Sequence, residues 1–177
     1  MNDILKYDPN FSVEKFITYA NNVFVQIHVA IITKELDKIK HFVSSNVYDE
    51  LSVKVNQLTQ RGLTQMYDEL NVAQTDILNY QATDDLMTIE IKIISRYLDY
   101  LVDQNGNYVS GNNSSRTQKE NYLTFTKKTN FKKTGPISKC PGCGAAINVN
   151  ANGKCAYCGT IYNLVDKDWI LSSLKTI

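Results

Sequence analysis

No Asp or Glu occurs between Asn121 and Val165 of this 177-residue chain, and the same stretch holds no Arg. Its six lysines give it +6, while the remainder carries −5. The net charge of +1 therefore hides a segregated distribution, and it excludes a global attraction to nucleic acid or membrane. Long apolar runs are also missing: none approaches the roughly 20 residues of a membrane span. Met1–Asn10 carries Asp3 and Asp8 and has no apolar core, which speaks against a secretory signal. Only two histidines occur, His28 and His41. No phosphate-binding loop, catalytic triad or metallohydrolase motif is present. Cysteine is scarce too, with four in the chain. Thiols without a secretory mark suit a reducing, cytoplasmic location. The first folded element begins almost at Met1, and a removed N-terminal membrane segment is the alternative route to membrane association.

What is present is concentrated in those four cysteines. Cys140-Pro141-Gly142-Cys143-Gly144 and Cys155-Ala156-Tyr157-Cys158-Gly159 are two pairs, each with two residues between its sulfurs and each followed by glycine. That is the spacing of two zinc knuckles. In a knuckle, backbone N–H groups turn toward a cysteine sulfur, and the trailing glycine permits the positive φ that this needs. Four thiolates give a closed tetrahedral site, hence a structural one. The eleven residues between the pairs are fewer than the about 15–20 of the usual two-pair pattern, so the ribbon is expected to be minimal. Three other readings compete. A redox dithiol belongs at a strand-to-helix turn, and no helical pattern follows Cys143. Two disulfides would fit a secreted chain. Iron in a rubredoxin-like four-sulfur site uses the same ligands.

Lys127, Lys128, Lys132, Lys133 and Lys139 lead into the ribbon, and Lys154 lies within it. A four-thiolate zinc site contributes about −2, leaving the local surface near +4. This surface could meet an anionic partner, such as an anionic membrane. The alternative is a set of solvated lysines that shield the thiolates and keep strand edges soluble. Nucleic-acid binding is disfavoured. Only Phe125, Phe131 and Tyr157 interleave with the lysines, and base readout favours Arg.

The rest of the chain divides into helices followed by strands. Ser12 is a good N-cap, with Phe11 and Phe16 at the staple positions. Phe16, Ala20, Val23, Phe24, Ile27, Ala30 and Ile31 then recur at helical spacing as far as about Lys34. A short helix is predicted over Leu36–Val43. A third starts at Ser44-Ser45-Asn46, with Val47, Leu51, Val55 and Leu58 on one face, and stops at Arg61-Gly62. The period then changes to two. Leu70–Tyr80 alternates, and Met87–Ile93 places apolar residues at 87, 89, 91 and 93, extending through Tyr97, Tyr100 and Leu101. Asp103–Arg116, rich in Asn, Gly and Ser, predicts a hairpin loop. Tyr122–Lys128 predicts another strand, and Trp169–Ile177 a closing strand. Helices followed by strands indicate an α+β fold.

This order, with its residues, resembles a known family. The relevant segments are Asp8-Pro9-x-Phe11-Ser12, Ala30 to Lys34-x-Leu36-Asp37-x-Ile39, Val47-Tyr48-x-x-Leu51 and Ile89–Ile93. They are similar to the membrane-associated C-terminal domain of the forty-four-kilodalton subunit of the mitochondrial inner-membrane translocase. Bacteria carry similar domains, some with a zinc ribbon. That form is matched by Asp103, Gly106 and Gly111, by Leu123-Thr124-Phe125-Thr126-Lys127, by both cysteine stretches, and by Trp169-Ile170-Leu171. The resemblance implies a cystatin-like, nuclear-transport-factor-like cone, in which a curved antiparallel sheet wraps the long helix and leaves a pocket. Residues 1–136 and 161–177 would form the cone, and residues 137–160 an inserted zinc ribbon. The mitochondrial subunit has membrane-contacting N-terminal helices, whereas only Met1–Tyr7 precede the domain here, and no partner carries over residue by residue.

The functional expectation is a non-enzymatic binding or scaffold module, with a protein or an anionic membrane surface as partner. The alternative is a small-molecule binder or enzyme using the cone pocket, where Asp76, Tyr80, Tyr97 and Tyr100 lie on strands and His28 on the helix lining it. No spacing joins these into a catalytic constellation. His28 reads as a core or boundary residue, and His41 as surface.

Overall fold

The computed structural model describes residues 2–129, 140, 143–145, 155, 157–158 and 169–177. Ser12 opens the principal helix, α2 (Val13–Thr33), where its hydroxyl accepts from the Lys15 N–H at 3.4 Å. Phe11 and Phe16 close over this start with ring centroids 5.9 Å apart, which fixes the angle at which the chain enters. A shorter helix, α1 (Asn2–Tyr7), precedes it and buries Ile4 completely. The sequence pattern did not mark α1, because six residues are too few to show a helical period. Beyond α2 comes a single 3-10 turn, Leu36–Ile39, in place of the predicted helix through Val43. It ends early because Val43 bridges to Leu171 and the Phe42 carbonyl accepts from the Leu171 N–H at 2.8 Å, so this backbone is engaged by the sheet. α3 (Ser45–Gln60) is capped by Ser44 and ends at Arg61-Gly62, as the sequence predicts.

Four strands follow: β1 (Thr64–Ala82), β2 (Leu86–Val102), β3 (Tyr108–Lys128) and β4 (Ile170–Thr176). They form one antiparallel sheet in the order β1-β2-β3-β4. The fold is α+β, with the helices packed on a curved antiparallel sheet. Two strands exceed their predicted bounds. β1 begins at Thr64 rather than Leu70, because a register shift between Asp68 and Asn71 breaks the alternation that would otherwise reveal it. Most of the predicted hairpin loop is strand. Only residues 103–107 turn, and β3 starts at Tyr108. Its Asn, Ser and Gly residues have weak strand preference, and pairing with β2 overrides it.

The core lies between α2 and one face of the sheet. Met87, Ile89, Ile91 and Ile93 on β2, Leu123 and Phe125 on β3, and Leu171 on β4 are all at most 1% exposed. Phe16 sets its ring edge-on against Phe125 at 5.4 Å and against Trp169 at 5.3 Å. Each such side chain contributes about 1.5–3 kcal/mol through burial. Three polar residues interrupt this face: Ser95, Asn121 and Lys127. Asn121, opposite Ile93, donates to the Ile93 carbonyl at 3.1 Å and to Ser95 Oγ at 2.9 Å, and accepts from Thr176 at 2.8 Å. These bonds offset the cost of burying it. α2 has the length and apolarity of a membrane span by composition, yet half of its most apolar window is buried against the sheet (50%).

Candidate functional site

The four cysteine sulfurs converge. Each knuckle is shaped by backbone before any metal is considered. The Gly144 N–H donates to the Cys140 carbonyl at 2.8 Å, and the Cys140 N–H donates to the Ala145 carbonyl at 2.7 Å. Gly144 has φ 73°, which the tight turn needs and which other residues resist. The Ala145 N–H donates toward Cys143 sulfur. The N–H groups of Cys158 and Tyr157 donate to Cys155 and hold its thiol below the usual range. These are the amide-to-sulfur bonds expected of knuckles.

All four Sγ atoms lie within 4.8 Å of one another. Cys140 and Cys158 sulfurs are 3.6 Å apart, and those of Cys143 and Cys155 are 3.8 Å apart. A metal at about 2.3 Å from each of four tetrahedral sulfurs requires edges of about 3.8 Å. A disulfide requires about 2.05 Å, so the reading of two disulfides does not hold, and all four are free thiols. The group could hold a metal ion. Cys140 and Cys155 are buried, Cys158 is half-buried and Cys143 is exposed. The cluster lies close enough to the 3-10 turn for Cys158 to act on Lys38, whose ammonium is held above its usual range first by Glu35 and more weakly by Cys158.

The expected lysine surface is smaller than the sequence indicates. Lys127 is 8% exposed, forms an ion pair with Asp8 at 2.9 Å, and stands over the Trp169 ring at 5.9 Å. The alternation of β3 carries it to the core side, where Asp8 in the connection between α1 and α2 supplies its counter-charge, so it is not available to an outside anion. Lys128 points outward and is exposed. Lys132, Lys133 and Lys139 lie outside the described residues.

Beneath α2 and α3 the sheet leaves an open cleft of about 220 Å³. His28 lines it, as does Tyr97. Asp76, Tyr80 and Tyr100 do not: Asp76 accepts from Gln74 at 2.8 Å, and the Tyr100 hydroxyl donates to Asp68. The His28 Nδ1–H donates to the Phe24 carbonyl at 2.8 Å, and burial pushes its pKa down to about 4, so the ring is neutral. His41 is exposed. The polar members that sequence reasoning missed are Lys54, Gln65, Tyr67, Asp99, Lys119 and Thr176. They come from five elements, α3 and the four strands, and no local spacing joins them.

The model of the Tim44-like domain family matches residues 1–136. The chain belongs to this family. The matched region of the Tim44-like domain takes in all three helices and β1 to β3, and it ends just before Cys140. The cysteine cluster is therefore an addition beyond the matched part. It sits between β3 and β4, as expected for a ribbon inserted between the last two strands. The family as a whole is associated with membranes and with protein complexes. No curated protein matches the chain.

Proposed function

We propose that this Tim44-like domain is a non-enzymatic binding module that acts as a scaffold in a membrane-associated or protein-complex system, braced by a structural zinc ribbon over residues 137–160. The family match over residues 1–136 carries this reading. The closed four-sulfur geometry supports a structural role for the metal, because no coordination position is left for a substrate. Zinc is the favoured occupant and iron the competitor. The purified chain is expected to be colourless, with about one zinc per chain by elemental analysis. A red, iron-containing protein would reverse the assignment.

The partner surface we favour is anionic lipid, met by Lys128 and the lysines that follow it. Each lysine near such a surface contributes about 1 kcal/mol. Flotation with phosphatidylserine vesicles at about 50 mM salt should carry the chain upward, and the variant Lys128→Glu, Lys132→Glu, Lys133→Glu should stay behind. If wild-type protein does not float, the lipid form of the reading fails and a protein partner is left. If chemical cross-linking in cells then yields no partner either, the scaffold reading is wrong. The chain is expected to act from the cytoplasmic side.

A further inference from the structure

The cleft beneath α2 and α3 gathers an ammonium and two phenol hydroxyls, Lys54, Tyr67 and Tyr97, beside an apolar wall. Lys54 Nζ donates to the Tyr67 hydroxyl oxygen at 2.7 Å and has no carboxylate within ion-pair distance among the described residues. That bond occupies the Tyr67 oxygen and leaves its proton without an acceptor among the described residues. The Tyr97 hydroxyl has no partner among them either. Burial holds both phenols above their usual range, so both keep their protons, and burial draws the Lys54 ammonium below its usual range. Asp99 is the carboxylate of this lining: its charge reaches Lys54 and both phenols, but its contacts among the described residues go to Gln65 at 2.9 Å and Lys119 at 3.9 Å, and it forms no ion pair with Lys54.

The donors are rigidly held. The Tyr67 and Tyr97 rings meet edge-on at 5.4 Å, and His28 packs against them at 4.7 Å and 5.5 Å. Ile27, Ile31, Leu51 and Leu174 supply an apolar wall to the same cleft. At about 220 Å³ it is smaller than the roughly 300–1,000 Å³ that drug-sized ligands occupy. A cationic group, two spare hydroxyl protons and a short apolar wall together describe one ligand chemistry.

We propose that this cleft binds a small monocarboxylic acid, with the carboxylate on Lys54, Tyr67 and Tyr97 and a short aliphatic body against Ile27, Ile31 and Leu174. The site is independent of the scaffold reading and of the metal. The test titrates hexanoate and its uncharged counterpart hexanamide into the full chain, followed by amide NMR shifts. Hexanoate is expected to saturate, with shifts centred on α2, α3 and the paired segments around Tyr67 and Tyr97. Hexanamide should bind at least about tenfold more weakly, because the charge-assisted bonds are lost. Lys54→Met removes an ammonium that is turned into the cleft from a residue that is exposed as a whole; it should keep the melting temperature and lose about tenfold in hexanoate affinity. Tyr97→Phe should lose about threefold, and Lys128→Met should change nothing. Equal binding of acid and amide, undiminished affinity in Lys54→Met, or no saturable hexanoate binding would each overturn the proposal.

Discussion

Burial lowers the His28 imidazole from its ordinary pKa of 6.5 to about 4, and this makes one side chain a source of pH-dependent stability. The unfolded chain takes up a proton at His28 below about pH 6.5, whereas the folded chain does not until about pH 4. Between these values the unfolded state binds more protons, so stability rises with pH. The contribution is complete above about pH 6.5 and declines as pH falls toward 4, by about 3 kcal/mol in all. Urea unfolding at pH 7, 5.5 and 4.5 should show wild type losing stability faster than His28→Gln. Equal slopes would place the effect elsewhere. At the same scale, Lys127→Met should cost about 3 kcal/mol, because it leaves Asp8 charged and largely buried. The exposed neighbour Lys128→Met should stay within about 0.5 kcal/mol. Equal losses from the two would refute the burial argument. Sequence could not separate these two lysines, because the counter-ion of Lys127 lies 119 residues away.

Elements differ in how openly the sequence declares them. β2 was legible because Met87, Ile89, Ile91 and Ile93 alternate without fault, and α2 because its apolar residues keep a helical period over 21 residues. The first part of β3 was not, because its residues are outward-facing and polar and it exists through its pairing with β2. One glycine makes that pairing feasible. Gly111 lies opposite Tyr100 with φ 105°, and a Cβ there would sit 2.5 Å from the Asp99 carbonyl oxygen and 2.6 Å from the Tyr100 Cα. Both obstacles are backbone, so no rotamer relieves them. Gly111→Ala should destabilise the hairpin by about 2 kcal/mol or more. Hydrogen exchange should quicken at residues 98–102 and 108–112 while α2 keeps its protection. Unchanged exchange at the hairpin would mean that the close approach is not needed. The cleft was least legible, since α2, α3 and all four strands contribute to it, and only the fold assembles them.

Across the whole molecule the question is how much the sheet depends on the ribbon. β4 returns after the long stretch from Thr129 to Trp169, yet its own anchors are strong. Trp169 and Leu171 are fully buried. The Tyr19 hydroxyl donates to the Trp169 carbonyl at 2.7 Å, and the Ser44 N–H donates to the Leu171 carbonyl at 2.8 Å. Cross-linking Cys140 to Cys158 through a metal shortens the free path by roughly half, and each halving of a loop is worth only about 0.6 kcal/mol. That corresponds to about 2 °C in melting temperature for a domain of this size. The metal should therefore govern the ribbon and barely touch the sheet. Chelation, or Cys140→Ser with Cys155→Ser, should expose Lys139 and Lys154 to trypsin while the emission of Trp169, the single tryptophan, stays that of a buried indole. A loss of more than about 10 °C, or a red-shifted Trp169, would show instead that the ribbon holds β4 in place and that the two parts fold as one unit.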